Sequence, residues 1–572
     1  MNDKKKNAGR VMADLLADYG VTAVFGVPGG QTLPLYYGIE ENSPRIQHVL
    51  MRDESNAGMA ADAYARISGK LGAFDGTAGC GAVRFVAALA EAYNSSSPVI
   101  AIAPEMTHDQ LSVRYRGCGA QLADCRSILK PVTKWAERLP EANSIVELTQ
   151  FAARTALSNR PGPVYVECPW DLFDDEYTGP EYKADKHLTG GPAYRSVPPM
   201  DDIKEAVTLL KKAKKPIILA GGGTWFSGAQ EELTKLSHTL SIPVATSLSG
   251  KGILSENDPL SLGVIGALGG NPISKKYAYE ADLIFAIGFK FSANASFNWE
   301  LPTAGQKVIH LDIDAVELGK MADVEIGLLG DAKVTLESMN QLLTTSDQKE
   351  FPTGLKADKE TWLKERNDVI KNEVPIIPQQ VISVLNEVCS EDTIVASDAS
   401  FSCGWIGTYF DVYGQRRTVF PRGMSGLGYG LPAGVGAAYA RPESPVVVIS
   451  GDGGFNYSLN ELETLHEQNL NIKVVILNND TLGWIKWYQA AVWDGRFTNV
   501  DTKHNDYGKI AEGMGVKGYH LHDPATLKEE LSKIINEPGP ALIDIRTTET
   551  EACKFTDNAA AVDYIVKDHK NK

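Results

Sequence analysis

Short apolar runs alternate along this chain with longer stretches whose apolar positions recur at helical spacing. In the first block the runs are "TAVFGV", "PVIAIA" and "PVYVEC", with Ser55 to Ser68 and Ala82 to Asn94 among the helical stretches between them. Runs that short and continuous predict strands buried on both faces, and the intervening stretches are long enough to cross over a sheet. The polar segment "DEYTGPEYKADKHLTGGPAYRSVPPM" predicts a linker. A second block repeats the pattern with "PIILAGGG", "IPVATS", "ADLIFAIG" and "KVIHLDID", and a charged helix is expected near Lys356 to Asn372. A third block runs from "TIVAS" through "PVVVIS" and "IKVVILNN" to "ALIDIR". The expected fold class is therefore α/β, with three doubly wound parallel-sheet domains at 1–182, 190–350 and 365–572.

Length agrees, since 572 residues exceed one ordinary core at about 100–200 residues per domain. A formal charge of -16 argues against nucleic acid and anionic membranes as partners, because both attract basic surfaces. No apolar run is long enough to span a bilayer, and no signal-peptide core follows "MNDKKKNAGR", so a cytoplasmic protein is expected. Cysteines 80, 118, 125, 168, 389, 403 and 553 are scattered, with no CxxC pair, and reduced thiols are expected.

One stretch carries specific chemistry. In "PVVVISGDGGFNYSLNELETLHEQNLNIKVVILNND", a buried strand, a tight turn, an amphipathic helix at "NYSLNELETLHEQN" and a second strand make a βαβ unit. Asp452 and Asn479 then fall at the carboxyl ends of parallel strands, where open α/β sheets bind ligands. Gly453 and Gly454 permit close approach of a phosphate to backbone N–H groups. Two hard oxygen ligands beside a phosphate predict Mg2+, which keeps few protein ligands and takes the rest from phosphate and water. Taken alone, GDGG could be only a turn and the asparagines only a strand end.

GDG, 24 intervening residues and NN resemble the thiamin diphosphate (ThDP) motif. "VFGVPGG", "RDESNAGMAADAYARISGK", "GTAGCGA" and "GPVYVECP" extend the likeness to the acetolactate synthase, pyruvate oxidase and pyruvate decarboxylase superfamily. The resemblance implies a pyrimidine-binding, a central and a diphosphate-binding domain in that order. It makes Glu54 the carboxyl group that activates the cofactor pyrimidine, although the same residue could simply cap a helix. It adds the Thr481 backbone carbonyl to Asp452 and Asn479 as metal ligands. "RGMSGLGYGLPAGVGAAYA" is similar to the segment supporting the pyrimidine, so Leu427 is implied as the apolar wedge and Ser425 as a backbone contact. Ser400 and Ser402 stand in the loop after "TIVASD", where the family contacts the diphosphate. Gln121 falls where carboligating members carry an active-site glutamine, although its neighbours Ala120 and Leu122 depart from the usual synthase pattern. An exposed helix glutamine is the alternative there.

For the reaction, Gly30 stands where decarboxylases place a proton-relaying side chain, and His108 stands alone. Trp484 and Ile485 would shape the pocket, with Trp487 and Tyr488 nearby. A site short of proton donors implies a ThDP- and Mg2+-dependent carboligase joining a 2-oxo acid such as pyruvate to a second carbonyl through an enamine. Cleavage of acyloins or diones, acyl transfer of the sulfoacetaldehyde acetyltransferase type, simple decarboxylation and a noncatalytic ThDP-binding paralogue stay as alternatives. FAD or another adenine nucleotide in the central domain is not favoured, because "AIGFKFSANASFNWE" lacks the arginine-acidic signature. The resemblance further implies at least a homodimer, or a homotetramer, in which the glutamate domain of one chain meets the diphosphate domain of another.

Overall fold

The computed structural model describes residues 6–113, 119–368 and 370–552. Three six-stranded sheets follow one another along the chain. The first holds β1 (Ala23–Gly26), β2 (Gln47–Leu50), β3 (Gly72–Asp75), β4 (Val99–Glu105), β5 (Trp135–Arg138) and β6 (Val164–Pro169) in the order β2-β1-β3-β4-β6-β5. The second holds β7 (Pro216–Ala220), β8 (Val244–Thr246), β9 (Ser261–Val264), β10 (Leu283–Ile287), β11 (Lys307–Asp312) and β12 (Ile326–Leu329), ordered β12-β11-β10-β7-β8-β9. The third holds β13 (Ile394–Ser397), β14 (Arg417–Val419), β15 (Val446–Gly451), β16 (Ile472–Asn478), β17 (Lys517–Leu521) and β18 (Ala541–Arg546), ordered β14-β13-β15-β16-β18-β17. The sheets are parallel, as buried strands joined by crossover helices require.

The first and third sheets share one strand order, while the second has the dinucleotide-fold order. In the first and third, the order reverses between their first and third strands. That reversal opens a crevice beyond the carboxyl ends of β1 and β3 in one sheet, and of β13 and β15 in the other.

By compactness the chain forms two units. One comprises Met1–Tyr194, Pro421–Val446 and Ser458–Ile472; the other comprises Arg195–Phe420, Val447–Tyr457 and Lys473–Lys572. In the first unit, the helix Glu54–Ser68 packs on the helix Gly430–Ala440. Gly436 permits this close crossing, since a Cβ there would lie 2.0 Å from the Ala60 carbonyl oxygen. In the second unit, the core of the middle sheet is aliphatic, with Ile218, Ile284, Phe285 and Ile309 essentially inaccessible.

Two expected helices differ in detail. Ala82 to Asn94 is two helices, Cys80–Arg84 and Val86–Ser95. The helix expected at "NYSLNELETLHEQN" is instead one turn at Asp452–Phe455, a 3-10 turn at Leu459–Glu461 and a helix at Leu462–Gln468. Glu461, at the end of the 3-10 turn, is buried, and its carboxylate accepts from the Arg52 backbone N–H and from Asn56. No helix among the described residues is long and apolar enough to cross a membrane. Five described cysteines are free thiols, and Cys118 and Cys553 lie outside the described residues.

Candidate active site

Beyond the third sheet, Asp452 begins the one-turn helix that follows β15 and is 4% exposed. Burial, with the charge of Asp480 added, pushes its carboxyl up to about 7. A Cβ on Gly453 would meet Leu482 Cδ2 at 2.5 Å, so the turn after β15 and the loop after β16 touch. Gly454 packs on the Asp398 carboxylate, whose Cγ would lie 3.0 Å from a Cβ there, and that carboxylate accepts from Ser450 Oγ at 3.0 Å. A Cβ on Gly451 would meet nothing within 4 Å, so the front of the turn is open.

Asn479 follows β16, and its Oδ1 accepts the Thr481 N–H at 3.3 Å. The Thr481 carbonyl accepts from the Gly483 N–H at 2.9 Å, which leaves one lone pair free. Asp480, in the left-handed region at φ +55°, is turned away to Arg546 and His504. Asp452, Asn479 and the Thr481 carbonyl are thus hard oxygen donors in one unit. A buried carboxyl pushed toward neutrality is the donor a divalent cation would ionise, so the residues fit Mg2+.

The other predicted contacts in this unit fall at the starts of two helices. Ser400 caps the helix Phe401–Tyr409 at φ +72°, whereas Ser402 is buried within that helix. Trp484 and Ile485 are 36% and 46% exposed on the helix Gly483–Val492, and Trp484 meets Phe401 edge-on at 5.1 Å. Trp487 is buried on the same helix, its ring 6.3 Å from that of Trp484.

In the first unit, Glu54 opens the helix Glu54–Ser68, whose N-cap is Asp53 through a bond to the Ser55 N–H. Asp53, not Glu54, therefore does the capping. Glu54 is 8% exposed, and two glycines make room for it: a Cβ on Gly81 would stand 2.8 Å from Glu54 Oε1, and one on Gly76 3.0 Å from its Cγ. Arg84 contacts Asp53 and stands 3.7 Å from Glu54. Gly30 is exposed, with nothing within 4 Å of a Cβ placed there. Gln121 lies in a turn at φ +62°, not on the exposed helix considered as its alternative, and its side chain meets Gln31, Thr77 and Cys80. His108 is tied to Asp171 on the surface.

Comparison with known proteins decides what these two clusters belong to. Residues 6–123 match the family model "Thiamine pyrophosphate enzyme, N-terminal TPP binding domain", 203–339 the central domain, and 398–545 the C-terminal TPP binding domain. A probable acetolactate synthase large subunit of Methanococcus aeolicus is 33% identical, covering 99% of this chain and 96% of that protein. One from Methanocaldococcus jannaschii is 34% identical over 96% and 93%, and the acetolactate synthase large subunit of Lactococcus lactis 32% over 96% and 94%. The chain belongs to the thiamin diphosphate-dependent enzyme superfamily, in its acetolactate synthase-like branch.

The segment around Ser425 and Leu427 is held in shape within the first unit. Ser425 is exposed in the left-handed region at φ +56° and Leu427 is half-buried. On one side, Glu91 accepts from the Gly423 and Met424 N–H groups at 2.8 and 2.6 Å and from Arg66 at 2.9 Å. On the other, the Tyr429 hydroxyl donates to Asp62 at 2.6 Å, and Asp62 pairs with Arg66 at 2.8 Å. Burial would raise the Glu91 carboxyl, but Arg66 and the two N–H groups hold it below the ordinary range. Sequence reading missed this clamp, because nothing local relates Glu91 to residues more than three hundred positions away. Glu91→Ala should cost about 1–3 kcal/mol by leaving the Gly423 and Met424 N–H groups without their acceptor, while Arg66 keeps Asp62. Urea unfolding measures that loss, and faster proteolysis within 421–429 would show that the segment has been released.

Proposed function

We propose that this ThDP-dependent carboligase condenses two molecules of a 2-oxo acid, pyruvate first among them, into a 2-hydroxy-3-oxo acid with loss of one CO2. The near full-length likeness to acetolactate synthases carries the reading. Gly30 supports it: the position is open, yet it offers no side chain to protonate a reacting carbon. Asp452, Asn479 and the Thr481 carbonyl would hold Mg2+ against the cofactor diphosphate, with Gly453 and Gly454 admitting the phosphates and Ser400 and Ser402 beside them. Ser425 and Leu427 would seat the pyrimidine, Glu54 would hold a proton at its ring nitrogen, and Trp484 and Ile485 would wall the substrate pocket. When bound, ThDP supplies the carbanion chemistry that joins the two carbonyl compounds.

The middle domain is given no flavin. Gly221 and Gly223, which could have faced a nucleotide, pack on Gly288, with the Gly288 carbonyl only 1.9 Å from a Cβ on Gly221. The domain limits 1–182, 190–350 and 365–572 are proposed on the spans of the three sheets. A homodimer, or a homotetramer of two such pairs, is proposed for the active form, and Val83, Val86 and Ile128 are exposed apolar candidates for the contact. The free thiols suit a cytoplasmic setting.

Incubation with pyruvate, ThDP and Mg2+, with products read by NMR, tests the function. Formation of 2-acetolactate is expected. Acetaldehyde as sole product would replace the reading with decarboxylation.

A further inference from the structure

Three side chains beyond the carboxyl ends of β1 and β3 close a ring of hydrogen bonds. The Gln31 amide donates to Gln121 Oε1 at 3.0 Å, the Gln121 amide donates to the Thr77 hydroxyl at 3.4 Å, and that hydroxyl donates to Gln31 Oε1 at 3.3 Å. Glycines make the ring possible. A Cβ on Gly29 would stand 2.3 Å from Thr77 Oγ1, and one on Gly79 would stand 2.1 Å from the Gln121 carbonyl oxygen. Both glutamines are partly exposed, beside the open position at Gly30.

The ring uses one N–H of each primary amide and leaves the other. The amides could be turned and the ring run in the opposite sense, and one N–H on each glutamine would still be left. The nearest further partner of the Gln121 amide is Cys80 Sγ at 3.9 Å, a weak acceptor. Each amide oxygen accepts once within the ring and keeps a second lone pair. The two remaining N–H groups, held in place by the ring, suit an anionic or carbonyl oxygen.

We propose that Gln31 and Gln121 together bind the carboxylate of the acceptor 2-oxo acid, and that Gln31 makes the enzyme prefer such an acceptor over an aldehyde. The inference rests on the carboligase reading. Two 2-oxo acids and one proton give one 2-hydroxy-3-oxo acid and one CO2, so one carboxylate leaves and one stays. Hydrogen bonds to the carboxylate that leaves would stabilise it before reaction and slow its loss. Bonds to the retained carboxylate persist from substrate to product, so the donors belong to the acceptor.

Gln31→Leu removes the amide at nearly constant size, and Gln31→Met does so with an unbranched chain should leucine perturb folding. Each variant, loaded with ThDP and Mg2+, is assayed with pyruvate alone and with pyruvate plus acetaldehyde as acceptor. The KM for pyruvate as acceptor should rise about ten- to a hundredfold, the range for a lost hydrogen bond to a charged group. Acetoin formation from acetaldehyde should fall far less than acetolactate formation, and ThDP affinity by fluorescence should stay at the wild-type value. Equal losses with both acceptors, or no loss with either, would overturn the assignment of Gln31 alone. Wild-type protein that forms neither product would overturn the carboligase reading and this inference with it.

Discussion

Glu54→Gln should lower turnover by about two to four orders of magnitude, the range for loss of a positioned acid–base group. The fold should tolerate the change. Glutamine fits the space that Gly76 and Gly81 leave around the side chain, and the cap of the helix belongs to Asp53. Hence melting temperature and ThDP affinity should hardly move while kcat falls. The cleanest measurement is exchange of the cofactor C2 proton with solvent, followed by NMR after acid quench. If exchange and kcat stay within about twofold of wild type, Glu54 is not the activating carboxyl.

Asp452→Ala should have the second large effect, weakening Mg2+-dependent ThDP binding by about a hundredfold or more. Asp452→Asn separates charge from shape, because it keeps an oxygen ligand and fills the same space. Titration of cofactor fluorescence against Mg2+ reads both, and unchanged Mg2+ dependence in Asp452→Ala would remove Asp452 from the metal site. The pH dependence has a definite sign. Burial pushes this carboxyl up to about 7 without metal, so the stability contributed by its neutral form is complete below the ordinary carboxyl range. It is lost as pH rises through about 7. If Asp452 holds Mg2+, the ion would compete with the proton for the same oxygen, so Mg2+ with ThDP should raise the melting temperature more above pH 7 than below it.

Much of this protein could be read directly. Central strands such as β4, β6, β15 and β16 are buried on both faces, and burial on both faces leaves a continuous apolar run. Weaker strands escaped. β17 reads "KGYHL" with only Leu521 buried, and β2 reads "QHVL" with only Val49 buried, since an edge strand needs little apolar surface. The capping alternative for Glu54 could be settled only by the structure, because Asp53 and Glu54 are adjacent and either carboxylate could serve a helix N-terminus.

The sequence by itself determined the three α/β blocks and the family. These depend on local runs and on a spacing of 24 residues, which survive in one dimension. Tertiary structure alone decided the ring of Gln31, Thr77 and Gln121, the hold of Glu91 on Gly423 and Met424, and the use of Gly221 for packing. Hydrogen bonds between distant loops leave no periodic trace, because each requires only one polar residue on either side. Backbone crossings leave only a glycine, and a glycine looks the same whether a phosphate or a carbonyl lies against it.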